Sequence, residues 1–138
     1  MGYKNPVYDL LTAWYNLLDG AISVPVYKEQ APAEVSGNYV LLRAESHTQQ
    51  RNKGLFLSTV VVIVEVVTEF AVAVNTATCN EIDSEITELL FPTPASHSIS
   101  LPNHQVQTIT LQNSTYLAED ADKKYYSKIS RYEHLINQ

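Results

Sequence analysis

The chain has 138 residues, 45% of them hydrophobic and 17% charged, and a net charge of −6. These values describe one domain with a core of its own and exclude a disordered chain. The acidic balance argues against generic binding to a phosphate backbone, and the single Cys79 cannot form an internal disulfide.

The start, MGYKNPVYDLL, lacks the continuous apolar region and cleavage site of a signal peptide. Pro6 stands where a myristoylation signal has Ser or Thr. Asn5-Pro6 is a helix start, a capping side chain followed by proline at the first helical position. Val7, Leu10, Leu11, Trp14, Leu17 and Leu18 then make one stripe at helical period, and Asp19-Gly20 supplies the stop. This predicts a helix over 6–19. ISVPVYK, 22–28, is a short strand, and Pro25, which has no N–H for a ladder, places it at a sheet edge. After a loop over 30–38 with Pro32 and Gly37, YVLLRA (39–44) is the next strand. ESHTQQRNKG, 45–54, is polar throughout and closed by Gly54. It reads as the long exposed tip of a hairpin, with Gln49, Gln50, Arg51, Asn52 and Lys53 as candidate contact residues.

LFLSTVVVIVEVVTEF, 55–70, is the stretch the fold is built on. Branching at Cβ restricts χ1 and suits a pleated surface. A run apolar on both faces predicts a strand covered on both sides. Towards its end Glu65 and Glu69 fall on one face, opposite Val60, Val62, Val64 and Val66. Fully extended it would span roughly 50 Å, so a bend or bulge is expected. The two glutamates and the short apolar length argue against a transmembrane helix.

Asn75-Thr76 can cap a second helix with a stripe of Cys79, Ile82, Ile86, Leu89 and Leu90, ending before Pro92. Cys79 on that stripe reads as core filler. A proline- and serine-rich connection over 92–103 leads to QVQTITL, 105–111, where Val106, Thr108 and Thr110 alternate with Gln107, Ile109 and Leu111. An acidic turn region is expected over 113–124, with Glu119, Asp120 and Asp122. A closing strand over 125–136 puts Tyr126, Lys128, Ser130 and Tyr132 on the face opposite Tyr125, Ile129 and Arg131. Tyrosine enrichment, nine in all, suits half-buried strands and contact surfaces alike. The order is α-β-β-β-α-β-β. One helix between strands excludes a βαβ series and predicts an α+β sandwich, a mostly antiparallel sheet of about five strands with both helices packed on it.

No catalytic constellation emerges. His47, His97, His104 and His134 are scattered, and His97 and His104, flanking Pro102, have no cysteine or acid beside them to complete a metal site. Glu65 and Glu69 lie about 13 Å apart by strand rise, too far for a carboxylate pair. Asp120 and Asp122 lack a calcium loop's closing glutamate. Asn113-Ser114-Thr115 is a glycosylation sequon without a secretion signal. The four glycines are isolated, so there is no phosphate-binding loop, and no cofactor is expected.

Taken whole, the pattern resembles the tail terminator or tail completion proteins of long-tailed bacteriophages, also called neck or head–tail joining proteins. The resemblance spans nearly the full length. It runs from the helix ending in LLDG through ISVPVYKEQAPAE, with Val26, Tyr27, Ala31 and Pro32, to NYVLLRAES, with Tyr39, Val40 and Leu42. A long projecting β-hairpin over 39–70 follows, then a helix with Ile86, Leu89 and Leu90, then YLAEDADKKYYSKISRYEHLI at 116–136. The valine-rich strand and the long 92–104 connection depart from the pattern. The resemblance implies a structural virion protein, not an enzyme. It would form a homo-oligomeric ring, usually six subunits, at the head-proximal end of the tail, assembled in the host cytoplasm. Its partners would be further copies of itself, the tail tube protein and the head–tail connector or stopper protein, with DNA only passing through the channel and no membrane involved. Tyr126, Lys128 and Tyr132 on the closing strand join the hairpin tip as interface candidates. Alternatives are a neighbouring connector or stopper protein, a ligand-binding or enzymatic α+β domain whose cleft would gather His104, Glu65 and Tyr126, and a peptide-binding module adding a strand at the Pro25 edge.

Overall fold

The computed structural model describes residues 2–33, 35, 37–52, 54–70, 76–120 and 124–138, with the side chains of Asn52 and Asp120 outside that set. The elements are α1 (Val7–Leu18), β1 (Val26–Lys28), β2 (Tyr39–Asn52), β3 (Leu55–Glu69), α2 (Thr76–Leu90), β4 (Gln105–Asp120) and β5 (Lys124–Asn137). The strands form one sheet in the order β1-β2-β3-β5-β4. Every pairing is antiparallel except β1 with β2. This is the expected α+β class and element order.

The N-cap of α1 is Pro6, not the expected Asn5, so the helix begins one residue later than expected, although the Asn5 Oδ1 accepts from the Val7 N–H at 2.9 Å. Leu10, Leu11, Trp14 and Leu18 are buried, and Gly20 takes φ +76° just past the helix end. In α2 the buried stripe is Cys79, Ile82, Ile86 and Leu90. The expected Asn75 cap lies outside the described residues. At the other end the Ser98 N–H and hydroxyl donate to the Leu90 and Leu89 carbonyls, at 2.9 and 2.7 Å. The serine-rich connection thus supplies partners for helix carbonyls that have none inside the helix. It also sends Ile99 and Leu101 into the core.

Both helices cover one sheet face. That face carries Val40 and Leu42, the even-numbered valines Val60 to Val66, and Tyr132, His134 and Ile136. As expected, β3 is buried on both faces through 60–64 and is wetter at Glu65 and Glu69, but no helix among the described residues packs on its odd-numbered face. Val61, Ile63 and Val67 are nonetheless buried. β2 and β5 flank them, and on the same face Arg43 pairs with Glu65 at 3.9 Å and Arg131 with Glu45 at 2.9 Å.

Two strands are much longer than expected. β2 continues through 45–52, the stretch read as a loop, and β4 runs to Asp120, through most of the stretch read as an acidic turn. Both segments lie at the sheet's margins and show no sustained apolar–polar alternation to betray them. They are strands because β3 and β5 offer continuous ladders. The irregularity expected in β3 falls instead in its partner, as a bulge between Ala44 and Ser46. Another bulge follows Val106 and changes the phase of β4. Val106 and Ile109, assigned to opposite faces by simple alternation, therefore share the helix-covered one, opposite Ile136 and His134.

Candidate assembly surfaces

β1 pairs only with Val40–Leu42, so from Arg43 to Asn52 no strand among the described residues lies against the outer side of β2. Gln49, Gln50 and Arg51 are exposed there. Asn52 is paired with Leu55, and Lys53 lies outside the described residues. The hairpin is not free along its length: β5 follows β3 as far as Leu57↔Asn137, and the Gln138 N–H reaches the Phe56 carbonyl at 3.2 Å. What projects is the last turn of the ribbon, where Gly54 takes φ +85°.

The base of this ribbon is braced by a residue the sequence reading passed over. The Tyr3 hydroxyl lies 2.7 Å from His47 Nε2 and 2.9 Å from Ser58 Oγ, and its ring stacks on His47 and meets Phe56 edge-on. The segment is tied down by Lys4 N–H to Gln138 Oε1 at 2.8 Å and by His104 Nε2 to the Lys4 carbonyl at 2.7 Å. The only hint in sequence was an aromatic residue ahead of the helix cap.

The closing-strand candidates face the helices. Tyr132 is 1% exposed, behind Trp14 and Phe91, so no partner can reach it without opening the core. Tyr126 is half-buried and stacks on Tyr116 with centroids 5.7 Å apart. Lys128 Nζ donates to Asp83 Oδ2 at 2.8 Å and to Asn80 Oδ1 at 3.3 Å, and sits over the Tyr116 ring. This cluster clamps α2 to β5 and β4. Asp83→Ala leaves a Lys128 side chain that is only 13% exposed without its counter-charge, and is expected to lower unfolding stability by about 1–3 kcal/mol in a urea titration. Cys79 donates to the Val66 carbonyl at 3.6 Å, and burial pushes its thiol pKa up, the opposite of what a nucleophile needs.

His104, Glu65 and Tyr126 do not converge. Glu65 lies on the helix-free face, Tyr126 on the helix-covered face, and His104 at the far end of the sheet beside Lys4. Burial raises the Glu65 carboxyl pKa, against the lowering influence of Arg43. His97 Nε2 donates to the Val106 carbonyl at 2.9 Å, which fixes it against β4.

The helix-free face has an apolar centre of Leu41, Val61, Ile63, Val67, Ile129 and Leu135. Its charges are mostly acidic, Glu45, Glu65, Glu69, Glu119 and Glu133 against Arg43 and Arg131. The second sheet margin is β4, whose outer side also carries no strand among the described residues, with Leu111, Tyr116 and Leu117 nearly half exposed.

No protein-family model matches the chain, and none of the curated proteins is similar to it in sequence. In structure it is similar to a chain described as part of the virion of a native gene transfer agent particle. The TM-score is 0.64 and the identity 18%, over 96% of this chain and 92% of that one. At that identity the likeness establishes a shared fold, from end to end of both chains.

Proposed function

We propose that the chain is a structural protein of a phage-like particle. In this reading, copies form a ring, six in number by the family resemblance, at the head-proximal end of the tail. The ring ends tube growth and joins the tail to the head connector. The observation that carries this is the end-to-end fold likeness to a virion chain. It is supported by a sheet in which no strand among the described residues covers the outer side of upper β2 or of β4. The acidic helix-free face suits a channel along which DNA slides, since like charges repel. A neighbouring connector or stopper protein is the second reading, because the same virion likeness supports any small ring protein of the neck.

Mass photometry of the purified chain, alone and with tail tube protein, tests the proposal. A ring of fixed size is expected, and a strict monomer that ignores both tube and connector proteins would overturn it. A salt-sensitive, tight shift of DNA in a gel would remove the channel-lining role.

Within this reading Gln49, Gln50 and Arg51 are contact residues. Deleting 48–53 would remove the β2 partners of 55–59, so substitution is the cleaner test. Gln49→Glu combined with Arg51→Glu is expected to leave the melting temperature within about 2 °C, as exposed substitutions do. Assembly should weaken at least about tenfold. Normal assembly of this variant would show that the ribbon end is only a surface loop.

A further inference from the structure

No strand among the described residues pairs with the outer side of upper β2 or of β4, although His97 Nε2 donates to the outward-facing Val106 carbonyl at 2.9 Å. Below Arg43 the outer side of β2 is occupied by β1, which accepts the Val40 N–H at the Pro25 carbonyl and donates the Glu29 N–H to the Leu42 carbonyl. The even-numbered residues of lower β2 therefore point their peptide groups outward. The bulge between Ala44 and Ser46 adds one residue and flips that parity. Above it His47, Gln49 and Arg51 point their N–H and C=O groups to a side where no strand among the described residues lies.

On the other side, the Phe70 N–H bonds the Lys124 carbonyl and the Gln138 N–H bonds the Phe56 carbonyl. Even-numbered residues of β5 thus face β3, and odd-numbered ones face β4. Thr108 and Thr110, opposite Leu135 and Glu133, point inward, which leaves Ile109 and Leu111 pointing outward.

A bare edge is a template for another strand, and monomeric proteins blunt it with Lys, Pro or a covering element. β4, QVQTITLQNSTYLAED, contains no Lys, Arg or Pro in 16 residues. Three geometric facts point to what covers it. β2 and β4 run in opposite directions, because each step of β2-β3-β5-β4 is antiparallel. The stretches without a partner strand among the described residues, 46–52 in β2 and 107–111 in β4 beyond the His97 contact, lie at the same end of the sheet. Ala44 and Leu111, each next to a bulge, share one row across the sheet through Val62 and Tyr132, so both margins bend at the same height.

We propose that the upper edge of β2 in one copy pairs antiparallel with the upper edge of β4 in a second copy, continuing the sheet from subunit to subunit. The contact is heterologous, since the two edges differ. Repeated, it generates a ring if the rotation closes and a filament if it does not. It gives Gln49 and Arg51 a backbone role that their side chains do not reveal, and it uses the Gln-rich end of β4 as their partner. It rests on the ring reading above and specifies how the ring is held together.

Proline removes the outward N–H and is tolerated at an edge. Gln49→Pro blocks the β2 edge and leaves β4 open, and Leu111→Pro does the reverse. Each variant alone, its fold checked by circular dichroism and melting, is expected to be monomeric at about ten times the concentration at which the natural chain assembles. Mixed at high concentration they are expected to give a one-to-one heterodimer that grows no further. Lysine at the same positions blocks an edge without altering the backbone, and serves if a proline variant does not fold. A variant that still closes a ring overturns the edge pairing while leaving the ring itself intact. So does a mixture that never dimerises, or a Gln49→Pro chain that dimerises by itself through two β4 edges. A natural chain that never forms a ring, with or without tube protein, removes the ring reading and this inference with it.

Discussion

Trp14→Ala is expected to destabilise the chain by about 3–5 kcal/mol, which for a domain of this size lowers the melting temperature by about 10 °C or more. Trp14 is fully buried at the centre of α1, its ring 5.3 Å from that of Tyr132 and 5.8 Å from that of His134. It is where the helix layer meets β5, so truncation opens a void that stiff β-branched neighbours cannot fill. A second cost is polar. The indole Nε1–H donates to His134 Nε2 at 2.9 Å, deep in the core. Trp14→Phe separates the two terms: it keeps most of the volume but orphans the histidine nitrogen, and should cost about 1–3 kcal/mol. If alanine and phenylalanine variants melt alike, the hydrogen bond dominates and the packing account is wrong.

Acidification is expected to remove about 3 kcal/mol of stability between pH 6.5 and 4, from His134 alone. His134 is fully buried, and burial lowers its pKa from 6.5 to about 4. Its Nε2 accepts from Trp14, so its Nδ1 carries the hydrogen and donates to the Val60 carbonyl at 3.1 Å. Both nitrogens are engaged by the neutral ring, and a second proton would have to displace the indole. Above pH 6.5 folded and unfolded chains both hold a neutral histidine, and the full stability is present. As the pH falls below 6.5 the unfolded chain takes up the proton and the folded chain does not, so stability declines until the folded-state pKa near 4 is reached. Urea midpoints followed across this window, for the natural chain and for His134→Gln, check the assignment. The variant is expected to be less stable at neutral pH and to lose the slope due to this group. A slope unchanged by the substitution would assign the acid sensitivity elsewhere.

These two effects concern the core, and the assembly variants concern exposed residues at the sheet margin. The separation is useful experimentally. Gln49 and Arg51 variants should melt like the natural chain while failing to assemble, and Trp14 variants should melt early.

The sequence by itself determined whatever depends on one-sided burial. The stripes of α1 and α2, the valine-rich β3 with its core-facing even positions and the Tyr126–Tyr132 face of β5 are each specified by apolar side chains at a fixed period. Local rules were enough for the edge position of the Pro25 strand. Only the tertiary structure decided the extent of β2 and β4. Their outer halves gain little from burying side chains and exist because β3 and β5 extend a ladder of backbone hydrogen bonds to them, which polar residues accept as readily as apolar ones. The bulges after Ala44, Val106 and Leu111 were equally invisible, since an inserted residue leaves no mark in a polar run yet reverses which groups face outward. The same holds for Tyr132 and Lys128. Their alternation placed them on one face, but only the packing of α1 and α2 turned that face inward, making one core and the other a helix clamp. The margins of the sheet, where the candidate assembly surfaces lie, are thus set by hydrogen-bond continuity, a property of neighbouring strands and not of any one stretch of chain.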